Sequence, residues 1–320
     1  MKKNKYKLIV VCIFALIFLI FGVFRFLNLK FPIQAQSQPN FDKKEKVLGS
    51  NSIKARGNEI ENLKPKKLSG FTNINFSDIS AKSFLIYDER TGKNLAEHQV
   101  TEKLSVASLT KLLTGLVAYE NLKMDDKITI DYSDKLTSEP ILDLKVGDFV
   151  LVYDLFASMI IGSANDAALT LANFTSKSTG KDFVELMNKK ANSLGMLDSR
   201  FANPLGFDSK DNFSTAGDLK KLVLETQKLS AFISLGKKFK YSFYGSENFR
   251  YSIKASNKLI FIYPGVESIK TGYTPEANGS LISKIEDSGR RIVIIVLGSE
   301  NREQDTVKLS ERIFKAYKWE

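Results

Sequence analysis

Ser108-Leu-Thr-Lys-Leu-Leu-Thr-Gly-Leu-Val-Ala-Tyr-Glu120 is the stretch on which the reading of this 320-residue chain turns. Its apolar density predicts a buried helix. Ser108 and Lys111, three residues apart at its start, then project from one helix face. Burial lowers a lysine pKa, and so does a neighbouring positive charge, so a lysine held there can be neutral and take a proton from the serine. The first helical turn also presents backbone N–H groups toward developing negative charge.

Working outward, Ser83 to Asp88 predicts a strand, Glu89-Arg-Thr-Gly92 its turn and Lys93 to Glu97 the returning strand. Val152 to Phe174 has helical periodicity broken at Gly162-Ser163-Ala164-Asn165, which predicts two helices and a short loop. Lys181 to Leu194 predicts an amphipathic helix stopped by Gly195, and Ser214 or Thr215 caps a helix running to about Leu229. Short strands follow at 239–243, 249–254, 266–273, 278–285 and 290–298, then a helix over 302–317. The early strands can join the late ones in one antiparallel sheet, with the 152–230 helices as a separate lobe. The fold class is therefore α+β, with a site expected between lobe and sheet edge.

The Ser-x-x-Lys spacing alone is a weak signal, because it recurs at Ser178–Lys181 and Ser234–Lys237. Ser-x-Asn occurs at Ser163, Ser246 and Ser299, and Lys270-Thr271-Gly272 has a near copy at Arg90–Gly92. Context selects among them. Ser108 opens the long apolar helix, Ser163 lies in the break between apolar helices, and Lys270 lies on a predicted internal strand.

The set Ser108-x-x-Lys111, Ser163-x-Asn165 and Lys270-Thr271-Gly272 resembles, in order, the three signature motifs of serine penicillin-binding proteins and β-lactamases. The flanks Val106-Ala-Ser-Leu-Thr-Lys-Leu-Leu-Thr114, Gly162-Ser-Ala-Asn-Asp-Ala-Ala168, Met187-Asn188, Leu194-Gly-Met196, Asn203-Pro-Leu-Gly-Phe207, Ser214-Thr-Ala216 with Asp218, and Ile269-Lys-Thr-Gly-Tyr-Thr274 are similar to D-alanyl-D-alanine carboxypeptidases of the low-molecular-mass class. The resemblance covers about residues 75–318. It implies a five-stranded antiparallel sheet flanked by helices, with an inserted all-helical lobe, in a catalytic domain over 71–320. It implies hydrolysis of the terminal D-alanine from peptidoglycan stem peptides ending in D-Ala-D-Ala, with β-lactams as inhibitors. Ser108 would be the nucleophile and Lys111 its base, and Ser163 would relay a proton to the leaving amine. Asn165 would hold the substrate amide and help place Lys111. Lys270, assisted by Thr271, would bind the terminal carboxylate, and Gly272 would leave the strand edge clear for substrate. The N–H groups of Ser108 and Tyr273 would form the oxyanion hole. No histidine role carries over to Pro204-Leu-Gly-Phe207, where the family often has His-Gly-Leu.

Two rivals share these motifs. A class A β-lactamase would use a Glu-x-x-Leu-Asn segment to activate its deacylating water, and none lies between Ser163 and Lys270. A penicillin-binding sensor without turnover would not need nucleophile, base and carboxylate-binding lysine together. No cofactor or metal is expected: Cys12 is the one cysteine and His98 the one histidine. His98, between Glu97 and Gln99, reads as a surface residue at a strand end.

The net charge of +11 is local. Residues 1–69 hold fourteen Lys and Arg against four Asp and Glu, and the remainder holds 33 against 32. A nucleic-acid surface on the main domain is not indicated. Leu8 to Phe24 is an apolar run of 17 residues behind Lys2, Lys3, Lys5 and Lys7, near the length of about 20 that spans a bilayer. The lysines favour a cytoplasmic N-terminus. Residues 1–29 read as an uncleaved anchor rather than a signal peptide cut after Ala35, and 30–70 as a disordered basic linker. The catalytic part then lies on the extracytoplasmic side.

Overall fold

The apolar runs become strands and helices whose order along the chain matches their alternation in sequence. The computed structural model describes residues 63–71 and 73–320, so the expected anchor and residues 30–62 of the expected linker lie outside the described residues. The described chain opens with β1 (Pro65–Lys67), β2 (Ser83–Asp88) and β3 (Asn94–His98). A 3₁₀ turn, Ala107–Leu109, leads into α1 (Thr110–Asn121), followed by β4 (Lys127–Thr129) and β5 (Phe149–Leu151). Helices α2 (Val152–Gly162), α3 (Asn165–Thr179), α4 (Phe183–Ser193), α5 (Ala216–Thr226) and α6 (Ser230–Ile233) come next. The chain then runs through β6 (Lys240–Tyr244), β7 (Arg250–Lys254), β8 (Val266–Thr274), β9 (Asn278–Asp287), β10 (Arg290–Ser299), α7 (Arg302–Ala316) and β11 (Tyr317–Trp319).

Five of these strands form one antiparallel sheet in the order β3-β2-β10-β9-β8. The first strands of the chain thus join the last, as the sequence predicts. Both faces are covered. Leu85 and Tyr87 of β2, with Val293, Ile295 and Leu297 of β10, face the core shared with α1 to α5. Phe84 and Ile86, with Ile292, Ile294 and Val296, face the core under α7. Burial on both sides explains why β2 is apolar along its length instead of alternating with polar residues. Helix α1 is the centre of the larger core. Leu112, Leu113 and Leu116 are fully buried, each contributing about 1.5–3 kcal/mol relative to exposure.

Several local details depart from the expected pattern. Pro65–Lys67, inside the expected linker, forms a strand paired with β11. The last helix stops at Ala316, because Tyr317 turns extended and its hydroxyl donates to Leu95 O at 2.7 Å. Ser108 lies in the 3₁₀ turn that precedes α1, not in the helix proper. Thr215 is the cap of α5, its hydroxyl accepting from Asp218 N, and α5 ends at Thr226.

Candidate active site

The nucleophile turn is held from two sides. Ala107 has a φ of 48°, a left-handed conformation that costs a non-glycine residue energy and persists only under tertiary constraint. One constraint is the loop 203–207. Asn203 Oδ1 accepts from the N–H groups of Leu205, Gly206 and Phe207 at 3.1, 2.7 and 3.0 Å. Thr114 Oγ1 donates to Pro204 O at 2.6 Å. Gly206, at φ +83°, lies so close that a Cβ would stand 1.9 Å from Ala107 O. The other constraint is β8: a Cβ on Gly272 would stand 2.8 Å from Val106 O and 3.1 Å from Ser108 N. Gly272 is therefore required by the packing of the strand against the nucleophile turn, a closer reason than clearance for substrate.

Lys111 Nζ lies 2.8 Å from Ser108 Oγ and donates to Leu205 O. The lysine is fully buried, and burial draws its pKa down from 10.5 to about 7. A large share of Lys111 is then neutral at neutral pH, with a lone pair next to the serine hydroxyl.

The second serine comes from the lobe. Ser163 ends α2 at φ 67° and ψ 26°, and Gly162 before it packs where a Cβ would meet Ile253 Cγ1 at 2.2 Å. That backbone turns Ser163 toward the sheet, where Lys270 Nζ lies 2.8 Å from its Oγ. Lys270 also donates to Thr271 O at 2.9 Å and is fully buried. Burial first, then the charges of Lys111 and Arg302, hold its pKa well below the ordinary lysine range. A bulge in the β8–β9 register between Ser268 and Lys270 re-aims the strand just before this lysine. Thr271 Oγ1 donates to Ser256 Oγ at 2.6 Å.

The structure thus brings Ser108, Lys111, Ser163, Lys270, Thr271 and Gly272 to the junction of lobe and sheet. Tyr273 lies beside them on the edge strand with its ring exposed. Asn165 is at the same junction, but its amide nitrogen donates to Ser138 O at 2.8 Å and Glu139 O at 3.2 Å. Leu205 O, not Asn165, is the hydrogen-bond partner that holds Lys111. The buried Oδ1 of Asn165 has no partner among the described residues, leaving an acceptor for an incoming group. Sequence reasoning passed over Arg302 at the start of α7, whose Nη1 donates to Gly272 O at 2.6 Å. It passed over Leu205 O as well. No spacing signal marks either, because each reaches the site only through the fold. His98 is exposed at the end of β3, stacked on Phe84 at 5.6 Å. Among the described residues no group of three or more His, Cys, Asp or Glu is placed to hold a metal.

Solved structures share this fold. The crystal structure of the Streptomyces K15 DD-transpeptidase superposes with a TM-score of 0.69 at 28% identity, covering 76% of this chain and 100% of that one. Penicillin-binding protein D2 of Listeria monocytogenes, solved in its cefotaxime-bound form, gives 0.64 at 28% identity, with 76% and 100% covered. The chain belongs to the D-alanyl-D-alanine carboxypeptidase family, peptidase S11, whose model matches residues 71–301. D-alanyl-D-alanine carboxypeptidase DacF of Bacillus subtilis is 30% identical over 246 residues, 74% of this chain, and the chain spans 63% of its length. The D-alanyl-D-alanine carboxypeptidase of Streptomyces strain K15 is 30% identical over 257 residues, covering 74% of this chain and 88% of that protein.

Proposed function

We propose that this chain is a serine-type D-alanyl-D-alanine carboxypeptidase that releases the terminal D-alanine of peptidoglycan stem peptides, and that β-lactams acylate it. The observation that carries the reading is the contact of the buried Lys111, with its pKa near 7, against Ser108 Oγ at 2.8 Å. Lys111 accepts the Ser108 proton as Oγ bonds to the carbonyl carbon of the penultimate D-alanine. The N–H groups of Ser108 and Tyr273 receive the resulting oxyanion. Ser163, beside Lys270, passes its proton to the leaving nitrogen and recovers the one that Lys111 took, leaving Lys111 neutral again; the C–N bond breaks, and D-alanine departs with its amine restored. Water then adds to the ester carbon and loses a proton to Lys111. The Ser108 Oγ leaves and regains a proton, so the enzyme returns unchanged. Lys270, Thr271 and the neighbouring Arg302 gather the positive charge and donors that a terminal carboxylate needs, and Asn165 Oδ1 accepts from the substrate amide.

Incubating the protein with a peptide ending in D-Ala-D-Ala and assaying free D-alanine tests the reading. Repeated release per enzyme is expected, and a single stoichiometric release would point to a sensor instead.

The leader supports placement outside the cytoplasm. Its lysines precede the apolar run of Leu8 to Phe24, as in an anchor with a cytoplasmic N-terminus, and the proposed substrate is a wall polymer. Among the described residues no helix is long and apolar enough to cross a membrane, so the membrane reading lies on residues 1–29 alone. Protease added to spheroplasts should remove residues 70–320, and a mature N-terminus at Gln36 would refute the anchor.

A further inference from the structure

The direction of β8 fixes where the two halves of a bound peptide go. The strand reads Lys270, Thr271, Gly272, Tyr273, Thr274 toward its C-terminal end. In the reaction proposed above, the leaving D-alanine lies at Lys270 and the scissile carbonyl near Ser108 N, which approaches the strand at Gly272. The acyl half of the substrate, carrying the residue before the two D-alanines, therefore extends toward Thr274.

Three side chains wait at that end. Thr274 Oγ1 donates to Asp208 Oδ1 at 2.6 Å, and Ser105 Oγ donates to the same oxygen at 3.1 Å. Asp208 is exposed. Its Oδ2 takes no hydrogen bond, and no cation pairs with it, among the described residues. Phe207, which precedes Asp208 in the loop, and Tyr273, which precedes Thr274 on the strand, are also exposed. The loop beneath it is tied by hydrogen bonds. Phe207 N–H is bound by Asn203 Oδ1, and Phe207 O accepts from both Asn203 Nδ2 and Asn212 Nδ2, at 3.1 and 3.2 Å. A carboxylate held through one oxygen, with the other oxygen unused, is suited to a primary ammonium.

We propose that Asp208, held by Thr274 and Ser105, is a specificity residue that selects stem peptides whose residue before the two D-alanines carries a free side-chain amine. This rests on the carboxypeptidase reading and narrows it to a substrate class.

The test compares Nα-acetyl-L-Lys-D-Ala-D-Ala with the same peptide acetylated at Nε, using the full chain in detergent. The readout is the ratio of the two kcat/KM values, which does not depend on how much of a preparation is active. The wild type should favour the free amine by about tenfold or more, the effect expected of one charge-assisted contact, chiefly through KM. Asp208→Asn should bring the ratio close to one, and Asp208→Glu should restore several-fold preference. A wild type indifferent to Nε acetylation overturns the proposal, as does an Asp208→Asn variant that keeps the wild-type ratio. If neither peptide yields D-alanine while a penicillin still acylates Ser108, the carboxypeptidase reading itself falls and takes the specificity with it.

Discussion

Lys270 Nζ lies 2.8 Å from Ser163 Oγ, and this contact joins the edge strand β8 to the turn between α2 and α3. The ammonium is buried with two other cations close enough to depress its pKa, Lys111 and Arg302. A substrate carboxylate supplies the missing opposite charge and must raise that pKa. Binding of a peptide ending in a free carboxylate should therefore take up protons. Calorimetry of such a peptide with the acylation-blocked Ser108→Ala protein, in buffers of different ionisation enthalpy, measures this directly. Binding without proton uptake would mean that Lys270 does not meet the carboxylate.

Substitution addresses the same contact. Lys270→Ala should lower kcat/KM on free-acid peptides by roughly 10- to 150-fold, the worth of a hydrogen bond to a charged group. The loss on peptides with an amidated terminus should be smaller. Equal losses on the two would confine Lys270 to positioning Ser163.

Lys111 sets the pH dependence. Its neutral form is the base, so the rate of Ser108 acylation should climb with pH through about 7. Stability should follow the same sign. The folded-state pKa of Lys111 lies below its ordinary 10.5, so between about 7 and 10.5 the unfolded chain binds more protons and unfolding free energy rises with pH. Lys270, also lowered, acts in the same direction. Lys111→Met should raise the melting temperature most at the acid end of this window. A flat acylation profile between about pH 5.5 and 9 would remove Lys111 as the base.

Gly206 keeps the nucleophile turn in place. A methyl group there would overlap Ala107 O, and the φ of +83° already disfavours alanine. Left-handed backbone alone costs alanine about 1–2 kcal/mol, and the overlap must add to it. Gly206→Ala should lower the melting temperature by several degrees, and acylation should fall further than the loss of folded protein explains. Wild-type stability and acylation in this variant would show that the loop does not support Ser108.

The site was legible in sequence where its geometry is local. Ser108 and Lys111 meet because three residues make almost one helical turn, and Ser163 is marked by a break between two apolar helices. The sheet was legible because both its faces are buried, which makes β2 and β10 continuous apolar runs. What escaped is long-range and carried by the backbone. Leu205 O holds Lys111 across 94 residues of chain, and a carbonyl has no residue signature. Arg302 reads as an ordinary first-turn residue, and reaches the site only because α7 packs against β9 and β10 and carries its guanidinium to Gly272 O. The pairs β4–β5 and β1–β11, with three residues per strand, are too short to show periodicity. Pro65–Lys67 reads as linker by composition and becomes a strand only because β11 pairs with it.

The end of the chain should therefore matter to stability. Trp319 Nε1 donates to the buried Asp88 Oδ2 at 2.7 Å, and its ring packs on Phe314 at 6.0 Å. Trp319→Ala would leave one oxygen of that carboxylate without its partner and open the contact with Phe314. A loss of about 2–3 kcal/mol in urea unfolding is expected. An unchanged midpoint would show that the β1–β11 pair adds nothing to the fold.

The most direct test of the central claim is to locate the acyl group. The protein is treated with a penicillin, digested, and mapped by mass spectrometry. The adduct should fall on the peptide containing Ser108, and it should vanish in Ser108→Ala while persisting in Ser178→Ala and Ser234→Ala. An adduct on Ser163, Ser178 or Ser234, or none at all, would contradict the assignment of Ser108 as the nucleophile and with it the proposed reaction.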